Sequence, residues 1–399
     1  MDAATNDLLL RHVRPLGAPA CDVRVRAGRI EAIGTALAAE PGLPEEDGGG
    51  ALLLPGLVEG HTHLDKTFWG LPWYVNEVGP NLLDRIENER RFRARSGHDA
   101  AMQSLALARE FLVRVTTRLR THVDVDTEAG LKHLHGVLAT REQLAAVLPM
   151  QVVAFPQSGL LCRPGTAELL DAALREGADV LGGLDPQDID GDAVASLDLL
   201  FGLAERHGCP LDIHLHEAGE SGARSLALIL DRTEALGLQG RVVISHGFCL
   251  GDAEPATRER LLARMARLRV AVATVGTASR PVPSVAACRA AGVEIFGGND
   301  GVRDTWTPYG VPDMLERAML IGLRNNLRRD DELGMALELV AGAAARGCCF
   351  EGHGLARGCR ADLVLVHAQN VPEAVVARPV RALVVSGGRI VARQGHLLV

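Results

Sequence analysis

Residues 21–34 read Cys-Asp-Val-Arg-Val-Arg-Ala-Gly-Arg-Ile-Glu-Ala-Ile-Gly, an alternation of apolar and polar positions broken at Ala27-Gly28. Period-two alternation across such a break predicts a β-hairpin with one buried face. The C-terminal end repeats the pattern: Ala361–Val366, then Val380–Val385, a Gly387-Gly388 turn, and Arg389–Ala392. Between the two ends the pattern changes. Short, nearly continuous apolar runs recur at 52–57, 115–123, 151–155, 180–184, 211–215, 242–245, 270–275 and 293–297. Stretches of helical period, such as 100–113, 193–207, 255–267 and 311–325, fall between most of them.

Continuous apolar runs are the mark of strands buried on both faces, and strand–helix alternation implies a parallel sheet. Eight units over this length predict an α/β fold, a closed (β/α)8 TIM barrel spanning residues 55–355. An open dinucleotide-binding sheet would need Gly-x-Gly-x-x-Gly after its first strand, and histidines stand there instead. Short strands at the chain ends need partners. Residues 1–54 and 356–399 are therefore expected to form one small β-sandwich domain, discontinuous in sequence.

Composition narrows the function classes. With 42 Lys+Arg against 50 Asp+Glu, the net charge of −8 lacks the basic stripe a nucleic-acid binder needs. No apolar run reaches the length of a membrane span. The polar opening Met1–Asp7 is unlike a secretory signal, so a cytoplasmic protein is expected. None of the eight cysteines forms a CxxC pair, which leaves them as small buried hydrophobes rather than zinc or redox ligands.

The chemistry concentrates at strand ends. The first apolar run leads into His61-Thr62-His63, and two histidines at i and i+2 of an extended segment share a face. Alone, that triplet is as readily a core histidine beside a loop residue. The fifth run, however, ends on His214-Leu215-His216-Glu217, the sixth on Ser245-His246 and the eighth on Asn299-Asp300. Imidazoles and a carboxylate gathered at the C-terminal rim of one barrel make a site for a divalent metal, zinc or iron, with manganese also suitable. The remaining histidines, at 12, 98, 133, 135, 207, 353, 367 and 396, read as surface or core residues. The run Glu87-Asn88-Glu89-Arg90-Arg91-Phe92-Arg93 reads as a solvated helix face. Four of the thirteen aromatics crowd into Phe68–Tyr74, which suggests an active-site loop or a subunit contact in a homo-oligomer.

His61-Thr62-His63-Leu64-Asp65, Arg120–Val125, Val153–Gln157, Asp212–Glu217, Ser245-His246 and Asp300–Trp306 together resemble the amidohydrolase superfamily, in particular its cytosine deaminase-like group with N-isopropylammelide amidohydrolase relatives. The resemblance spans the whole barrel. It implies one metal held by His61, His63, His214 and Asp300, with Asp300 also moving a proton. It further implies Glu217 as general acid/base and His246 as the group that orients water. Gln157 and Trp306 would contact substrate, joined by Lys66 and, at the second strand, by His122. Binuclear relatives bridge their metals with a lysine at strand 4. Only Lys66 and Lys132 exist in this chain, and the strand-4 segment Val180–Pro186 has none, so a single metal is expected.

The implied partner is a small N-heterocycle attacked by metal-activated water. A deaminase releasing ammonia from a pyrimidine-type ring is the first reading. The second is an amidohydrolase that releases an alkylamine or opens a cyclic amide, and a metal-free scaffold is the third. Two positions depart from cytosine deaminases. Gly301 replaces an aspartate after the metal carboxylate, and His216 replaces the aspartate before Glu217. Gly301 is expected to open space and remove a negative charge, disfavouring cytosine.

Overall fold

A computed structural model describes residues 6–399, so most of the polar opening 1–7 lies outside the described residues. Eight parallel strands pair in sequence order: Leu57–Thr62, Thr116–Asp124, Met150–Phe155, Val180–Leu184, Leu211–Leu215, Val242–His246, Ala271–Thr274 and Ile295–Gly297. The last meets the first through a parallel bridge between Thr62 and Asp300, where the Asp300 N–H donates to the His61 carbonyl at 2.8 Å. The barrel is nearly closed, and its seam lies at two predicted metal ligands. Gly298 makes that approach possible: a Cβ there would stand 2.5 Å from the His61 Cβ.

The sequence expectation for the first barrel strand needs correction. Residues 52–57 are not one strand. Leu52–Pro55 pairs with the terminal sheet, the chain breaks at Gly56, and Leu57–Thr62 begins the barrel. Leucines run across the junction, so hydrophobicity alone carries no mark of the change of sheet.

The chain ends meet as expected. Five N-terminal strands between Leu8 and Pro55 and four C-terminal strands between Leu363 and Leu397 make a nine-stranded sheet. The strand Leu8–Pro15 pairs with Cys21–Arg26 from Leu8 to Leu10 and, after a register shift, at Val13, and it also pairs with Leu52–Pro55 from Arg14. The register shift spans His12, whose φ is 47°. Leu8, Leu10, Val23, Val25 and Ile30 then pack against Leu53, Leu363, Leu365, Leu383 and Val385 in one core. All eight cysteines are free; Cys209, Cys249, Cys288 and Cys348 are buried. Among the described residues, no helix is long and apolar enough to cross a membrane.

The helix Leu82–Ser96 overturns a second expectation. Asn81 caps it and Gly97, at φ 62°, ends it. Its charged run is not a solvated face. Glu89 is 2% exposed, and its carboxylate lies 3.5 Å from Lys66 Nζ. Arg93 donates to Asp124 at 2.5 Å, Asp126 at 2.7 Å and Glu128 at 2.8 Å, and Arg90 reaches Asp126 at 3.1 Å. The acidic rim of barrel strand 2 turns these arginines inward and ties the helix to the barrel beside the lysine.

Candidate active site at the barrel rim

His61 and His63 leave the end of the first strand, His214 the fifth, His246 the sixth, and Asp300 follows the eighth. Two groups of four have ligand atoms mutually within 4.8 Å: His61, His63, His122 and His214, and His61, His214, His246 and Asp300. His61 and His214 belong to both. Asp300 Oδ1 lies 3.3 Å from His63 Nε2 and 3.6 Å from His61 Nε2.

Buried imidazole nitrogens without partners ordinarily destabilise a fold. Here His61 Nε2, His63 Nδ1 and both nitrogens of His214 and His246 are buried and unpartnered. That pattern fits a bound cation. His61 Nδ1 pairs with Ser245 Oγ at 2.8 Å, and that hydroxyl donates to Asp212 Oδ1 at 2.6 Å, so the ring is held with Nε2 facing the cluster. Burial pushes His63 down to about 3 and holds His214 and His246 well below the usual histidine range. Neutral imidazole is the form that ligates. Burial works against the Asp300 carboxylate, but the adjacent His61, His63 and His246 rings hold it well below the usual range.

His122, expected as a substrate contact, is placed differently. It has no exposed surface, its ring centroid is 4.2 Å from that of His61, and Nε2 is 3.4 Å from Asp212. It lies among the imidazoles rather than on the open wall. The other three expected contacts converge. Lys66 Nζ donates to Gln157 Oε1 at 2.5 Å and sits 5.6 Å from the centre of the Trp306 ring. Burial lowers the Lys66 pKa, but Asp124 and Glu89 outweigh it, so the ammonium stays charged.

Glu217, expected as general acid/base, is buried with both carboxylate oxygens engaged. It is 1% exposed. Oε1 accepts the N–H groups of Gln187 at 2.7 Å and Asp188 at 3.1 Å, while Oε2 accepts the Ser225 hydroxyl. The neighbouring His216 takes the open position, its side chain 24% exposed. Its ring stacks on His246 at 4.4 Å, and its Nδ1 pairs with Asp185 at 2.7 Å. Burial lowers the His216 pKa; Asp185 overcomes this and raises it. Asp185 ends the lysine-free fourth strand, at φ 32°. A His-Asp pair split between strands 4 and 5 has no sequence spacing to reveal it.

Gly301 also requires correction. The space expected there is not open: a Cβ at Gly301 would overlap the Asp304 carboxylate. A carboxyl group from three residues further on occupies that position. Asp304 is 2% exposed. Oδ1 accepts the N–H groups of Trp306 at 2.8 Å and Thr307 at 2.9 Å, and Oδ2 has no partner. Burial pushes its pKa up to about 7, against the pull of Lys66.

A barrel with imidazoles on strands 1, 5 and 6 and a carboxylate after strand 8 defines a metal-dependent hydrolase class. The sequence profile of the amidohydrolase family matches residues 45–392, and the chain belongs to that family. It is an enzyme of the kind that hydrolyses C–N bonds of N-heterocycles. The chain is 63% identical to N-isopropylammelide isopropylaminohydrolase from Burkholderia multivorans, with a TM-score of 0.96 over 98% of this chain and 100% of that one. A 5-methylcytosine deaminase from Klebsiella pneumoniae, liganded with 5-fluorocytosine, is 26% identical, with a TM-score of 0.86 over 98% of each chain. N-isopropylammelide isopropyl amidohydrolase from Pseudomonas sp. (strain ADP) is 29% identical over 88% of each sequence.

Proposed function

We propose that this enzyme hydrolyses an N-alkylamino-substituted heterocycle of the ammelide type, releasing the alkylamine. The 63% identity and near-complete superposition with a protein of that activity support this second sequence reading over ammonia release. Water gives its oxygen to the ring carbon, the exocyclic C–N bond breaks, and a proton reaches the departing nitrogen.

His61, His63, His214 and Asp300 would hold one divalent ion, zinc, iron or manganese. When bound, it supplies Lewis acidity and brings the pKa of water to about 7. Asp300 accepts a proton from the water and delivers it to the leaving amine. His246 orients the water. We assign proton transfer with the ring to His216, held by Asp185, rather than to Glu217, because His216 is the more exposed of the two and both Glu217 oxygens are already engaged. Lys66, Gln157 and Trp306 bind the ring: an ammonium, an amide and an aromatic wall for a planar carbonyl-rich substrate. The catalytic unit is read as 55–355 and the supporting unit as 1–54 with 356–399.

The test is product identity. Metal-loaded protein is given N-isopropylammelide, its unsubstituted amino counterpart and cytosine, and amine and ammonia are quantified separately. Isopropylamine release from the first is expected to dominate. Cytosine deamination as the fastest reaction would overturn the assignment.

A further inference from the structure

The seam of the barrel carries little backbone pairing. Among the described residues, strand 8, Ile295–Gly297, meets strand 1 through the one bridge between Thr62 and Asp300. Asp300 itself stands at φ 64°, a left-handed conformation that persists in a residue with a side chain only where its neighbours enforce it. His61 and Asp300 come from opposite sides of this seam.

Glu59 joins those two sides. It is buried on strand 1, with no exposed surface. Oε1 accepts the His61 N–H and the Asn299 N–H, each at 3.0 Å, and Oε2 accepts Asn299 Nδ2 at 2.6 Å. A single carboxylate oxygen therefore connects the backbone of His61 to the residue immediately before Asp300. The Asn299 amide is fixed in turn by Arg317, on the helix Met314–Arg324. Arg317 donates to Asn299 Oδ1 from Nε at 3.2 Å and from Nη2 at 3.1 Å. A guanidinium has no acceptor, so Oδ1 must face it and Nδ2 must face Glu59. Arg317 Nη1 also donates to the Val275 carbonyl at 2.5 Å, just beyond strand 7.

We propose that Glu59 is a positioning residue for the metal site: its carboxylate, backed by Asn299 and Arg317, holds strands 1 and 8 so that His61 and Asp300 reach the same ion. This rests on the ligand set proposed above. Glu59 acts through the backbone on either side of the seam, where the strand ladder is missing.

The test is zinc affinity, measured by competition with a chromophoric chelator, with the Tm of the metal-free protein read beside it. Groups that hold metal ligands in place typically contribute about 10- to 100-fold in affinity, so Glu59→Gln should lose at least about tenfold. Its amide can keep Oε1 on the two backbone donors only by turning N–H groups toward those of Asn299. Adding Asn299→Asp reverses the pair: the amide at 59 donates to a carboxylate at 299, which still accepts Arg317. That double variant should regain most of the lost affinity. Leu197→Ala, a core truncation on the helix Ala193–His207, lowers Tm without touching the seam and should leave zinc affinity unchanged. Unchanged affinity in a folded Glu59→Gln, or an equal loss in Leu197→Ala, overturns the clamp. If Glu59→Gln does not fold, the double variant decides: recovery of fold and affinity together is expected, and a double variant that stays unfolded or binds zinc weakly overturns the proposal. His61→Ala separates the two readings. Zinc affinity that it leaves intact refutes the ligand set, and the clamp falls with it. Affinity that His61→Ala abolishes and Glu59→Gln spares refutes the clamp alone.

Discussion

Replacing His216 with Gln, beside Glu217→Gln as its counterpart, separates two neighbouring residues that sequence comparison alone would rank the other way. Glu217 is engaged by two backbone N–H groups and one hydroxyl. A glutamine keeps Oε1 on both N–H donors and asks only Ser225 to turn. The expected cost is about 1 kcal/mol of stability, the worth of one adjusted hydrogen bond, with kcat within tenfold of wild type. His216→Gln removes the proposed proton-transfer group, and a positioned general acid/base contributes about 10² to 10⁴ in rate. That corresponds to about 3 to 5 kcal/mol on the barrier.

The assay is steady-state amine release, with metal content and Tm measured on the same samples so that loss of the ion or the fold is not mistaken for loss of proton transfer. The pH profile adds a directional check. Asp185 raises the His216 pKa against burial, so the proton is retained to higher pH. Asp185→Asn removes that cause and should move the alkaline limb of kcat/KM to lower pH. If Glu217→Gln loses a hundredfold or more in kcat with metal retained while His216→Gln stays within tenfold, the assignment is refuted.

Asp304 has a folded-state pKa of about 7 against an ordinary 3.8, so it favours folding while protonated, and that contribution is lost as pH rises from about 4 through 7. Asp304→Asn should therefore gain stability over wild type at pH 8 and little at pH 4, read by denaturant titration; a pH-independent difference would refute this. Arg93→Met leaves Asp124 and Asp126 short of a buried partner and should destabilise by about 3 kcal/mol, with Tm as the check, although Lys66 and Arg90 still pair with those carboxylates. Elemental analysis should find one divalent ion per chain, and chelation should abolish amine release, which metal readdition restores; two tightly held ions would refute the single-metal reading.

How much was legible in the sequence follows from how each residue is held. His61, His63, His214, His246 and Asp300 could be read because strand ends in a parallel barrel are short apolar runs, and the residue after each run must face the rim. The terminal sheet was legible for a similar reason, since period-two alternation survives without knowledge of partners. What escaped was set by contacts between distant segments. Arg90 and Arg93 read as solvated because helical charge usually is; only the acidic end of strand 2, more than thirty residues away, turns them inward. Asp304 brings a carboxyl group against Gly301 through the fold of the 301–307 turn, whose backbone N–H groups fix one of its oxygens.

Glu217 and His216 show the same limit within two adjacent positions. Both follow a strand that delivers a ligand, and both carry titratable groups. The difference lies in strand 4, whose terminal Asp185 accepts the N–H groups of both residues and pairs with the imidazole. Losing the aspartate of the deaminase pattern at 216 therefore does not leave the pocket without a proton carrier. It replaces a carboxylate with a histidine that already has a carboxylate behind it. The same substitution without Asp185 would set an unsupported imidazole beside His246, with burial pulling its pKa down. The chemistry at 216 thus belongs to the strand 4–strand 5 pair, and a reading confined to either strand misplaces it.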